Sequence, residues 1–151
     1  MRNARKPFKG DEAMDRQHFE TPIEVKYRDV DAMGHVGSAV YYDYLQHAYL
    51  TFMHALLELP LSKKLPHIMV KTACEYVRPA RYGDRLKVCS RITRFGSKSF
   101  DIEHLMRLDA EDEPLVAKAY STHVMFDYEH NASLPVPDAF RTQVERFQGG
   151  I

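Results

Sequence analysis

The chain has 151 residues, 44% of them hydrophobic and 28% charged, with 21 basic and 21 acidic side chains. This is the composition of an ordinary globular domain, long enough to bury a core without disulfides or a structural metal. A formal net charge of zero argues against a nucleic-acid binder, whose affinity comes largely from neutralising phosphates.

Residues 1–16 are polar and mixed in charge, with no apolar stretch that could act as a signal peptide. They predict a frayed N-terminal tail, followed by one domain over 17–151. No apolar run approaches the roughly 20 residues that cross a bilayer, so the expectation is a soluble, cytoplasmic protein with no membrane partner.

Phe19, Thr21, Ile23, Val25 and Tyr27 alternate with Glu20, Pro22, Glu24, Lys26 and Arg28, the period-2 pattern of a half-buried strand. Pro22 marks its start or a sheet edge. The loop DVDAMGHVG follows, and Ser38 after it is a good helix N-cap.

From Ala39 to Leu59 the chain is apolar almost all round, broken by one narrow polar stripe of Asp43, His47, Thr51, His54 and Glu58. A helix with such a pattern must be covered over most of its circumference. His47 and His54 are expected to pair with Asp43 and Glu58 at helical spacing, and Pro60 to end the helix.

Strands are predicted over Ile68–Tyr76, Leu86–Thr93, Phe100–Leu108 and Leu115–Phe126, from alternating apolar and polar residues. The connectors PARYGD, RFGSK and DAEDEP are short and rich in turn residues, which predicts an antiparallel meander. Residues 137–147 predict a short surface helix. Cys74 and Cys89 lack the spacing of a zinc site and read as buried thiols of a reducing compartment. The simplest architecture is α+β, with a five-stranded antiparallel sheet curled around one long central helix.

The stretches YRDVDAMGHVGSAVYYDYLQHA, ACEYVRPARYGDRLKV and SRITRFGSKSFDIEH, in this order, resemble the 4-hydroxybenzoyl-CoA thioesterase-like family of hotdog-fold acyl-CoA thioesterases. The resemblance spans roughly residues 19–136. It implies hydrolysis of an acyl-CoA, no cofactor or metal, and a homodimer or homotetramer with its site between subunits.

Thioester hydrolysis needs an attacking water or carboxylate, and donors for the charge that develops on the carbonyl oxygen. A helix N-terminus offers unpaired N–H groups and a favourable dipole, so Gly34 to Ser38 form a natural oxyanion site. The resemblance makes Asp31 the catalytic carboxylate, with Asp29 its rival, and assigns the polarising donors to Gly37 and Ser38. Both stand where many relatives carry asparagines, a departure that bears on substrate identity. His35 is a candidate base by its usual pKa or a residue of the loop's structure.

Tyr41, with Tyr44 and Phe52, could line an acyl pocket, although Phe52 reads as core. The resemblance puts CoA contacts near the turn with Arg94, Ser97 and Lys98, where a cationic turn suits phosphates; Arg78 and Arg81 are weaker candidates. A hotdog-fold hydratase or dehydratase is the alternative enzyme, although the Asn-Pro core of such sites is lacking between Asp31 and His35. A non-catalytic acyl-CoA-binding protein is the third reading.

Overall fold

The structure, a computed structural model, describes residues 18–151; the tail expected over 1–16 lies outside them. Strand β1 (Phe19–Glu24) leads through a 3-10 turn (Tyr27–Asp29) and a loop into helix α1 (Val40–Leu56). Four long strands follow: β2 (His67–Tyr76), β3 (Arg85–Phe95), β4 (Ser99–Leu108) and β5 (Leu115–Asp127). A two-residue strand β6 (Ala132–Ser133) and helix α2 (Asp138–Gln148) close the chain.

The alternation of β1 stops at Glu24 instead of continuing to Arg28. The side chain of Asp29 turns back to accept the N–H of Lys26 at 3.0 Å, which favours the tight turn over further extension.

The sheet is antiparallel with the order β1-β3-β4-β5-β2, and β6 extends it as a sixth strand paired to β5. The predicted meander therefore holds only for β3, β4 and β5. β2 pairs with β5, not with β3. β1 and β2 occupy opposite edges, so α1, which joins them, has to cross the width of the sheet. That is the physical reason for its pattern. Tyr41, Tyr44, Leu45 and Ala48 pack with Ile23, Val88 and Met106 in one cluster, while Phe52, Met53 and Leu56 pack with Ile92, Phe100 and Ile102 in a second. Each fully buried apolar side chain of this size contributes roughly 1.5–3 kcal/mol.

Two features of α1 differ from the sequence expectation. Ser38 does not cap it: Ala39 is the N-cap, in α geometry and without a side-chain bond, and the N–H of Val40 bonds back to the Gly37 carbonyl. At the other end α1 stops at Leu56, ahead of Pro60, because Glu58 takes a left-handed φ of 54°. The N–H of Leu59 then reaches the carbonyl of His54 and that of Glu58 reaches Ala55, a Schellman closure. His54 caps this turn through Nδ1, 3.2 Å from the Leu59 carbonyl. His47 lends its backbone carbonyl to the Thr51 hydroxyl, and among the described residues neither histidine forms an ion pair with Asp43 or Glu58.

Helix α2 is a second helix beyond the one expected at the centre. It docks Phe140 and Val144 on the second cluster. Its Gln148 side chain donates to the Ile92 carbonyl and accepts the Ile92 N–H, taking the place of a strand neighbour beyond the end of β1. No helix among the described residues is long and apolar enough to cross a membrane.

Candidate active site

The loop between β1 and α1 folds on itself. Val30 and Val36 form an antiparallel bridge, the N–H of Asp31 donates to the His35 carbonyl at 2.8 Å, and Gly34 turns the chain with φ +78°. Only glycine adopts that angle without strain. Neighbouring chain steadies the outer arm of this hairpin, for Val36 donates to the Ala80 carbonyl and His35 bridges to Arg81.

Asp31 sits at the head of the turn. Its Oδ1 accepts the N–H groups of Met33 at 2.9 Å and His35 at 3.3 Å, and its Oδ2 has no partner among the described residues. One oxygen thus shapes the turn, and the other is unengaged on an exposed residue. The rival carboxylate is in the opposite position. Oδ2 of Asp29 is taken by the Lys26 N–H and by the Tyr44 hydroxyl at 2.7 Å. Burial pushes the Asp29 carboxyl upward, but the hydrogen bonds from Lys26 and Tyr44 and the charges of Arg28 and Lys26 outweigh it and hold the group below its usual range.

Asp31, His35, Ser38 and Tyr41 line a cleft of about 410 Å³ together with Tyr76 and Arg78. Ser38 contributes backbone: its carbonyl accepts the Tyr76 hydroxyl at 3.0 Å, while the N–H groups of Ser38 and Ala39 carry no acceptor among the described residues. The N–H of Gly37, in contrast, is occupied by the Asp29 carbonyl at 3.1 Å. Tyr41 is buried, its ring edge-on to Tyr76 at 4.9 Å and its hydroxyl accepting the Ala80 N–H. The imidazole of His35 makes no hydrogen bond among the described residues. Phe52 is core. Tyr76 escaped the sequence reading, since the last residue of a strand has no period to mark it; Arg78 two residues on and Arg81 in the PARYGD connector were the only local signal.

Arg94, Ser97 and Lys98 are not in this cleft. They lie at the β3–β4 turn, about ten strand residues along β3 from the end where Asp31 sits, or roughly 30 Å. Arg94 is ion-paired to Asp101 at 2.7 Å, Lys98 donates to the Ser133 hydroxyl, and the Ser97 carbonyl accepts the Val136 N–H. A second, larger cavity of about 520 Å³ lies beside the C-terminal half of α1, with Tyr49, His54 and His67 inside and Lys63 and Lys64 in its wall.

A turn-bound carboxylate with a free oxygen, beside unpaired N–H groups at a helix start, is a pairing suited to acyl transfer. Residues 25–144 match the family model of the thioesterase-like superfamily. The long-chain acyl-CoA thioesterase FadM of Escherichia coli is 24% identical over 130 residues, covering 85% of this chain and 98% of that protein. Among solved structures, a Thermus thermophilus thioesterase complexed with coenzyme A and Zn superposes with a TM-score of 0.77 at 23% identity, over 87% of this chain and 95% of that one. A 1,4-dihydroxy-2-naphthoyl-CoA thioesterase from Synechocystis gives 0.72 at 23%, over 84% and 95%. With its hotdog sheet and its match over 25–144, the chain belongs to the thioesterase-like superfamily and is an enzyme of thioester hydrolysis.

Proposed function

We propose that the protein hydrolyses an acyl-CoA to the free acid and CoA at the cleft between Asp31 and the start of α1. The observation that carries this is the division of labour at Asp31, with Oδ1 fixed by two N–H groups and Oδ2 open. Oδ2 either attacks the thioester carbonyl, expelling CoA as the thiolate and leaving a mixed anhydride that water then cleaves, or takes the proton from a water whose attack breaks the C–S bond and releases CoA directly. The free N–H groups of Ser38 and Ala39, at the positive end of the helix dipole, receive the charge on the carbonyl oxygen. With its own N–H occupied, Gly37 offers no oxyanion donor, and its carbonyl accepts the Val40 N–H at the helix start.

The unit that performs this is a homodimer or homotetramer. β2 is an edge strand that exposes Ile68, Val70 and Tyr76, and such an edge invites pairing with a second copy. Antiparallel pairing about the middle of β2 sets His67–Met69 of one copy beside Cys74–Tyr76 of the other. The large cavity of one subunit then adjoins the Asp31 cleft of its partner. The same rotation carries the partner's β3–β4 turn to the end of the sheet where Asp31 lies, so that Arg94, Ser97 and Lys98 contact CoA across the subunit boundary.

The test is incubation with aromatic, short and long acyl-CoAs in the presence of a thiol reagent. Free CoA should appear with one of these classes and be lost in Asp31→Asn. A hydratase would consume an enoyl-CoA without releasing thiol, and a binding protein would release none.

A further inference from the structure

We propose that Asp29 and Tyr44 form a positioning strut that sets the Asp31 carboxylate against the first turn of α1; this deepens the thioesterase reading and rests on it. Neither residue touches the reacting atoms. Asp29 is a three-way joint. Its Oδ2 accepts the Lys26 N–H at the end of β1 and the Tyr44 hydroxyl in the second turn of α1, and its carbonyl accepts the Gly37 N–H where the loop returns. Asp31 hangs inside the span that this joint closes, between the bridge of Val30 to Val36 and the turn at Gly34.

Among the described residues, the bond from Tyr44 to Asp29 is the only side-chain hydrogen bond made directly between loop 29–37 and α1. The other ties are the backbone bond from the Val40 N–H to the Gly37 carbonyl and an indirect one through Ala80, whose carbonyl takes the Val36 N–H and whose N–H donates to Tyr41. The strut is therefore the side-chain tie between the loop that carries the attacking group and the helix whose start presents the N–H donors. Tyr44 is buried. Burial, reinforced by the neighbouring carboxylate, raises its hydroxyl well above the usual range, so it stays a donor to an ionised Asp29 throughout the working pH range. Catalysis between two separately mounted groups is sensitive to shifts of an ångström or less.

Tyr44→Phe keeps the ring and removes the bond. It should lower kcat about tenfold with KM changed less than about twofold, since substrate binding does not use the strut. In an Asp31→Asn background the same change should cost nothing further, because the strut acts only through Asp31. Hydrogen exchange gives a readout independent of turnover: amides of residues 30–37 should exchange faster in Tyr44→Phe, while those of β3 and β4 stay unchanged. Asp29→Ala should reproduce both effects, and Asp29→Asn, which keeps an acceptor, should restore part of each, so the comparison survives if one variant fails to fold. Unchanged exchange at 30–37, or an equal loss of kcat with and without Asp31, overturns the strut. Intact thiol release in Asp31→Asn alongside faster loop exchange in Tyr44→Phe overturns the assignment of Asp31 and leaves the loop tie standing.

Discussion

Two carboxylates separated by one residue differ here in their hydrogen bonds: Oδ2 of Asp29 is taken twice, and Oδ2 of Asp31 has no partner among the described residues. Replacing Asp31 by asparagine preserves Oδ1, so the bonds to Met33 and His35 can persist while the charge is lost. We expect kcat to fall by about 10² to 10⁴, the range of general-base catalysis, with the thermal midpoint nearly unchanged. Asp29→Asn should cost less than about tenfold; the reverse ranking would transfer the catalytic role to Asp29. A second prediction at this scale concerns buried histidines. Burial, aided by neighbouring histidines, lowers His67 and His123 to about 3, and burial alone lowers His104 to about 4. Their ordinary value is 6.5, so below that pH the unfolded chain takes up protons that the folded chain refuses. Their stabilising effect is whole above pH 6.5 and declines as the pH falls toward 4. Each histidine changes the unfolding constant about tenfold per pH unit in that window. Urea midpoints measured between pH 7.5 and 4.5 should drop accordingly, and replacing His104 with asparagine should reduce the slope by one proton.

At the scale of elements, period and turn chemistry located α1 and the four long strands to within a few residues, because those signals are local. Strand order was not legible. Whether β2 pairs with β3 or β5 depends on where the chain goes after α1, and the alternation of Leu86, Val88 and Ile92 is the same in either arrangement. The candidate site was half legible. Asp31 and the helix start follow from the loop and its resemblance, whereas Tyr76 and the bond from Asp29 to Tyr44 join residues 38 and 15 apart in sequence, which no local pattern reports. The β3–β4 turn carries its own prediction. The Arg94 side chain is largely exposed and, among the described residues, the Lys98 side chain bonds only to Ser133, so replacing both by alanine should leave the fold intact. If the turn holds CoA phosphates, the double variant should raise KM with little change in kcat, because such contacts are equal in ground and transition states. The salt dependence of KM should also weaken. An unchanged KM would remove the turn from the site.

If the cationic turn holds CoA, the whole molecule presents two requirements that one copy does not meet. Its β2 edge exposes apolar side chains and unpaired backbone, and its cationic turn stands at the far end of the sheet from its carboxylate. A two-fold pairing along β2 satisfies both, since the strand gains a neighbour and the reversed partner delivers its turn to the Asp31 end. Ile68 and Val70 suit a test, because both are exposed in the single copy and a change there disturbs no core. The double variant Ile68→Lys, Val70→Lys places charges where the two strands would meet. It should sediment as a monomer at micromolar concentration, retain its circular dichroism spectrum, and lose most of its thiol-releasing activity. A wild-type protein that is monomeric and fully active at that concentration would show that the Asp31 cleft is complete within one chain, and the contacts from Arg94 and Lys98 would then have no route to the substrate.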